Sequence, residues 1–272
     1  GVDIENVEVM SVDTDHSPYG LGTWGSRSNT LGGNAVKIAA NDAKNQLFRF
    51  AADKLKVRAD DLEIKEGKFY VKGAQEEIIT VEEIAFDAIF KKLGGAPIIG
   101  RGEYIVPDYV VIPDRNTKYG NYSLGYSFST QVAEVLVDPE TGKVDVLNVW
   151  VGQDVGKALN PKGCEGQIEG GVVQGMGFAI SEDYFWKEGR PINPDFTDYR
   201  IPGFVGIPKI HSFLVESNEP AGPYGAKSLG EAATNPTVPA IANAIYDAVG
   251  VRMKQLPMAP ERILIALRGI PK

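Results

Sequence analysis

Three segments of this 272-residue chain carry residue types able to do chemistry. The first is Gly25-Ser26-Arg27-Ser28, inside a hydroxyl- and glycine-rich run (residues 22–30) ahead of a helical pattern. Such a turn at a helix N-terminus offers backbone N–H groups and the positive dipole end to an anion. An ordinary Ser/Asn cap on an amphipathic helix has the same sequence signature. The second segment runs from Gln167 to Gly177. In a helix Gln167 and Gln174 share a face, and Gly170, Gly171 and Gly175 let something approach the backbone closely. That something is either a neighbouring helix or a bulky cofactor read by amide side chains. The third is Gly222 to Glu231, where Glu231 precedes small, apolar or proline residues (Ala232, Ala233, Pro236, Val238 and Pro239 among them). A carboxylate enclosed by such neighbours is pushed upward in pKa and suits a general base near neutral pH. A solvated acid at a helix start is the alternative. Ala226-Lys227-Ser228 is not a phosphate-binding P-loop, because that motif needs glycine directly before the lysine.

Other reactive residue types have weaker contexts. Cys164 lies between Gly163 and Glu165 with no cationic neighbour to stabilise a thiolate, so a packed thiol is expected. His16 falls in a polar turn and His211 near a strand start, and neither has a Ser or Cys partner at hydrolase spacing. Asn121-Tyr122-Ser123 matches a glycosylation sequon, but no secretion signal precedes it.

Composition narrows the classes further. One Cys excludes a disulfide framework and any Cys-rich metal or iron–sulfur site, and two His exclude a His-rich one. A net charge of −8 argues against a nucleic-acid surface. No apolar run approaches the roughly 18 residues of a membrane span. A soluble, acidic, cytoplasmic protein is expected, and 272 residues suffice for a substantial core. The chain opens on Gly1 and reads as the middle of a fold already under way, as a processed, split or excised polypeptide would.

The elements that must position these segments follow from spacing. Residues 7–12 read as a strand. Ala35, Ile38, Ala39, Ala43, Leu47 and Phe50 trace a helix. Residues 62–71 form a hairpin turning at Glu66-Gly67, and Thr80-Val81-Glu82-Glu83 is a capping box opening a helix through Leu93 to Gly94. Val132–Val137 and Val144–Val151 flank a turn at residues 138–142. Ile210–Val215 is a further strand, and helices start near Thr237 and Pro260 with Gly250 and Gly269 at their ends. Without regular βαβ alternation the fold class is α+β. A polar stretch at about 114–130 marks the best internal boundary, giving lobes 1–125 and 126–272.

Taken in order, residues 22–35, 165–177 and 222–231, with Asp198-Tyr199-Arg200-Ile201-Pro202 and 239–250, resemble the xanthine oxidase family of molybdenum hydroxylases. Order and separation are similar to the C-terminal part of that family's large, molybdopterin-binding subunit. The resemblance implies that Glu231 is the catalytic base beside the molybdenum, activating a water-derived nucleophile toward an electron-poor carbon. It implies that Gly25, Ser26, Arg27 and Ser28 line the pterin and metal, with the Gly25 amide facing substrate or a metal oxygen. Gln167 matches a pterin-contacting glutamine, supported by Gly170, Gly171 and Gln174, with Lys227 and Gly230 in the same binding set. The metal is then held by the pterin, with no protein ligand, which agrees with the scarcity of Cys and His.

The family's earlier half, which orients substrate, has no counterpart here. The resemblance therefore implies a partial active site: a split subunit or fragment docking through an apolar interface on the other half. Iron–sulfur (2Fe-2S) and FAD centres belong on partner subunits, and the pterin is expected in its cytosine dinucleotide form. N-heterocycles, purines or aldehydes are the implied substrates, though the family also holds carbon monoxide dehydrogenase and a hydroxybenzoyl-CoA reductase. A non-catalytic assembly or binding module keeping the fold is the competing reading.

Overall fold

The computed structural model describes residues 1–10, 13–15, 17–73, 79–92, 95–111 and 119–269. The side chains of 91 and 92 are not among them. The chain divides into two compact units: Gly1–Gly22 with Leu31–Val106, and Thr23–Thr30 with Pro107–Lys272.

The first unit is built on α1 (Gly33–Leu55), the hairpin of β1 (Leu62–Lys65) and β2 (Lys68–Val71), short β3 (Ile79–Thr80), and α2 (Val81–Asp87). The hairpin turns where expected: Lys65 pairs with Lys68, and Glu66 and Gly67 both adopt positive φ (51° and 73°). Both central residues of a type I′ turn need that conformation. The capping box at α2 is complete, with Thr80 Oγ1 accepting from the Glu83 N–H (3.1 Å) and Glu83 Oε2 from the Thr80 N–H (2.9 Å). Leu62, Phe69, Ile79 and Ile84 close the core against Ala51 and Ala52 of α1. The expected strand at 7–12 is not formed at residues 7–10, which are exposed; 11 and 12 lie outside the described residues. Among the described residues no strand pairs with residues 7–10. The expected helix end at Leu93–Gly94 and the turn at His16 also lie outside the described residues.

The second unit centres on a three-stranded sheet, β4 (Ser129–Val137), β5 (Val144–Asp154) and β8 (Lys209–Val215), in the order β4-β5-β8. β4 and β5 are an antiparallel hairpin around Asp138, whose carboxylate accepts from Glu140 N–H (2.9 Å) and Thr141 Oγ1 (2.7 Å). β5 and β8 are parallel, and the connection between them carries α3 (Pro161–Ile180) and a small hairpin, β6 (Trp186–Lys187) with β7 (Arg190–Pro191). α4 (Thr237–Val249) and α5 (Pro260–Arg268) follow, each ending at a glycine in left-handed conformation, Gly250 and Gly269. Val149 and Val151 of β5 pack on Ile168, Val172 and Met176 of α3 and Ile241 and Ile245 of α4. Burying each such side chain contributes about 1.5–3 kcal/mol. On the other face of the sheet the His211 ring stacks on Trp150 (5.2 Å) and meets Asn148 Oδ1 (3.1 Å). The mixture of helices with one mixed sheet is the expected α+β class. Among the described residues no helix is long and apolar enough to cross a membrane.

Candidate active site

The site lies within the second unit. α3 forms despite its glycines because Asn160 caps it, accepting from the Gly163 N–H (3.0 Å), and Pro161 starts it. One line of the helix (Ile168, Val172, Met176, Ala179) is buried in the core, so tertiary packing overrides poor propensity. The glycines then divide. A Cβ on Gly171 would stand 2.9 Å from Ala233 Cβ, and one on Gly175 would stand 2.6 Å from Thr237 Cβ. These two glycines serve close packing against residues 233–237. Gly166 and Gly170 face open space, and Gln167, Gly170 and Gln174 lie along the same exposed side of the helix. Gly171 and Gly175 therefore serve packing against a neighbouring segment, while Gly166 and Gly170 leave the opposite face of the helix open.

The loop 23–30 is joined to the segment 227–231 by a ladder of hydrogen bonds. Ser26 Oγ accepts from the Glu231 N–H (2.8 Å) and donates to Glu231 Oε2 (2.9 Å). Asn29 Nδ2 donates to the Lys227 carbonyl (3.1 Å), and the Thr30 N–H donates to Ser228 Oγ (2.9 Å). Gly25 and Ser26 reach this arrangement through positive φ (60° and 51°). The Arg27 guanidinium lies over the Trp24 ring (5.0 Å), and Ser28 Oγ donates to Thr23 Oγ1 (3.0 Å). The alternative of an ordinary Ser/Asn cap is not what forms: residue 32 is the N-cap of α1, without a side-chain bond, and residues 28–32 make a π-helical turn.

Ser26, Ser28, Gln167, Lys227 and Gly230 line one cavity of about 300 Å³. Asn29, Ser228, Asn160 and Cys164 line it too and had no part in the sequence-based set. Asn29 and Ser228 directly follow or precede named residues, whereas Cys164 joins only through helical periodicity with Gln167. Burial first, then the neighbouring Glu165 carboxylate, push the Cys164 thiol up, which agrees with a packed, unreactive cysteine. Glu231 stands beside the cavity, bonded to Ser26. It is exposed, so its small and apolar neighbours do not enclose it, and of the two alternatives the solvated acid describes it. The reason is geometric: Ala233 and Thr237 turn inward onto α3 instead.

Lys227 directs its ammonium inward. Nζ meets Asp154 Oδ2 at 2.5 Å, with side-chain exposures of 9% and 8%, and donates to the Tyr126 carbonyl (2.5 Å). Asp154 Oδ1 accepts from the Gly156 N–H (3.0 Å) and Ser217 Oγ (2.7 Å). Burial alone pushes Asp154 up, but the bonds from Lys227, Gly156 and Ser217 outweigh it and hold the carboxyl below its usual range. Among the described residues no group of three or more His, Cys, Asp or Glu is placed to hold a metal.

Residues 1–208 match the family model described as molybdopterin cofactor-binding domain. The chain belongs to that family. It is 33% identical over 98% of its length to the 6-hydroxypseudooxynicotine dehydrogenase complex subunit gamma of Paenarthrobacter nicotinovorans, covering 33% of that protein. It is 30% identical over 98% of its length to the probable hypoxanthine oxidase XdhD of Escherichia coli K12, covering 26% of it. Quinoline 2-oxidoreductase from Pseudomonas putida 86 superposes with a TM-score of 0.79 at 25% identity, covering 94% of this chain and 32% of that one. This molybdopterin-binding chain thus spans about a third or less of the length of these relatives. The resemblance to the xanthine oxidase family holds, as a partial piece of its large subunits. The matched family region ends before Gly222–Glu231, so that segment's role rests on geometry and motif.

Proposed function

We propose that this chain forms one wall of the molybdopterin site of a molybdenum hydroxylase large subunit, with Glu231 as the general base. The observation that carries this reading is the reciprocal hydrogen bonding of Ser26 and Glu231 beside the cavity lined by Gln167. The residues fit a pterin: hydroxyls of Ser26 and Ser28 and the Gln167 amide can both donate and accept. A flat heterocycle can also lie against α3 where Gly166 and Gly170 present no side chain.

When bound, the cofactor supplies the two-electron redox chemistry and activates water for attack on an electron-poor carbon. The chain's own residues do the rest. Ser26 holds Glu231 Oε2, and Oε1, with no hydrogen-bond partner among the described residues, is left to take the proton. Gln167, with Ser26 and Ser28, orients the pterin; Gly170, Gly171 and Gln174 belong to the helix forming that wall. The Gly25 amide, at an exposed left-handed turn, is available to an oxygen on metal or substrate, and Arg27 stacked on Trp24 stiffens the loop. Lys227 and Gly230 set the path of the chain into Glu231. Asp198–Pro202 belongs to the same family pattern.

The substrate is an N-heterocycle, purine or aldehyde, hydroxylated with oxygen from water, and the pterin is the cytosine dinucleotide. The remainder of the molybdopterin subunit and partners carrying 2Fe-2S and FAD complete the cytoplasmic enzyme. The names of the relatives, which include subunits of dehydrogenase complexes, support a multisubunit assembly.

The test is Glu231→Gln in the assembled, molybdenum-loaded complex. Loss of a general base predicts a turnover reduced about 10²–10⁴-fold at unchanged metal content. Near-normal turnover with full metal would remove Glu231 from the mechanism and favour a binding module.

A further inference from the structure

The segment that carries Glu231 has no regular secondary structure between residues 226 and 230, yet it must hold a carboxylate to a defined position. We propose that Asp154 and Lys227 are positioning residues for Glu231: their buried ion pair fastens this segment to the end of β5. The inference rests on the reading of Glu231 as the base.

The pair acts through three attachments on one residue. The Lys227 N–H donates to the Val155 carbonyl (2.9 Å), its carbonyl accepts from Asn29, and its ammonium reaches Asp154. Gly156 sits under this contact at φ 68°, and a Cβ there would strike the Gly225 carbonyl and the Lys227 nitrogen. The two stretches of backbone are in direct contact at that point. Asp154 is in turn fixed by Gly156 and Ser217, so the acceptor cannot follow a shifting lysine. A buried ion pair adds little net stability over apolar side chains of similar volume, whereas its geometry is restrictive. The pair therefore fixes register: four residues on, Glu231 arrives opposite Ser26, and Ser228 opposite Thr30.

Hydrogen exchange on the chain itself reads this without cofactor or turnover. The variants are Lys227→Met, Lys227→Arg, and the double Asp154→Asn/Lys227→Met, which leaves no uncompensated buried charge. Both variants with Met are expected to exchange the Glu231 and Thr30 amides about tenfold or more faster, while Val149 and Val151 in the double variant keep wild-type protection. Lys227→Arg, which retains the charge, stays within about threefold of wild type. In the molybdenum-loaded complex, Lys227→Met lowers kcat about tenfold or more with KM changed less than about twofold. Wild-type protection at Glu231 in the double variant overturns the proposal. So does loss of protection at Val149 and Val151 in that variant, which makes the pair a core element only. Glu231→Gln separates the two claims: if it keeps turnover while the Met variants still free the Glu231 amide, the base assignment fails and the positioning stands.

Discussion

Ser26 and Glu231, 205 residues apart in the chain, are joined twice through one hydroxyl: Ser26 Oγ accepts from the Glu231 N–H and donates to its carboxylate. One bond sets the backbone of the glutamate and the other its side-chain rotamer. Removing the hydroxyl releases both. Ser26→Gly is the informative variant, because Ser26 already stands at φ 51° and glycine accepts that conformation freely. Net loss of stability is expected to be about 1–2 kcal/mol, since the bonds are partly exposed and water replaces them. On the proposed reading of Glu231 as the base, turnover of the loaded complex should fall about tenfold or more, since misplacing such a group costs heavily. Ser26→Thr, which keeps a hydroxyl, should recover part of it. Thermal denaturation and steady-state kinetics on the three proteins check this.

The buried ion pair gives a pH dependence with a definite sign. Asp154 has its carboxyl below the ordinary value in the folded chain despite burial, through Lys227, Gly156 and Ser217. Its contribution is therefore fully present above the unfolded pKa of about 4 and is lost as pH falls through the lower folded value. Denaturant midpoints measured between pH 7 and pH 2 should decline in the acid limb. The decline attributable to this group should vanish in Asp154→Asn, whose stability is already lower at neutral pH.

Much of the scaffold was legible because it is locally determined. The Glu66-Gly67 turn, the Thr80/Glu83 box, the Asp138 hairpin and the glycine stops at Gly250 and Gly269 each depend on a few adjacent residues whose preferences agree with the fold. The expected strand at residues 7–12 failed at its described part because strands need a partner that local sequence does not name. Of the two alternatives for Glu231, enclosure failed for a related reason. Composition named its neighbours, but only the packing of Ala233 and Thr237 on Gly171 and Gly175 shows that they turn away from it. Asp154 escaped notice although a carboxylate ends β5, because its partner lies 73 residues on.

Tyr199 offers an alkaline counterpart. Its hydroxyl donates to Glu182, and that bond, with burial next, pushes the phenol up to about 12 from an ordinary value of 10.0. The folded chain holds this proton more tightly, so the stabilisation is complete below pH 10 and disappears as pH rises toward 12. In an ultraviolet phenolate titration Tyr199 should ionise late. Tyr199→Phe should remove that late step, and Glu182→Gln should bring it to lower pH.

The two faces of α3 make opposite predictions for the same substitution. Gly175→Ala would bring a Cβ to 2.6 Å from Thr237 Cβ, within a fully buried contact. Overpacking of that kind costs about 1–3 kcal/mol. Gly170→Ala meets nothing within 4 Å and replaces a poor helix former. It should leave the chain as stable or raise stability by up to about 1 kcal/mol. If Gly170 lies against the pterin, however, the added methyl occupies the approach of the ring. Gly170→Ala should then reduce molybdenum and pterin content of the assembled complex while improving thermal stability of the chain. Gly175→Ala should lower stability, with metal loading following the folded fraction. Thermal denaturation beside metal analysis separates the outcomes. Full loading of a stabilised Gly170→Ala protein would mean that the open glycine face of α3 is not part of the cofactor wall.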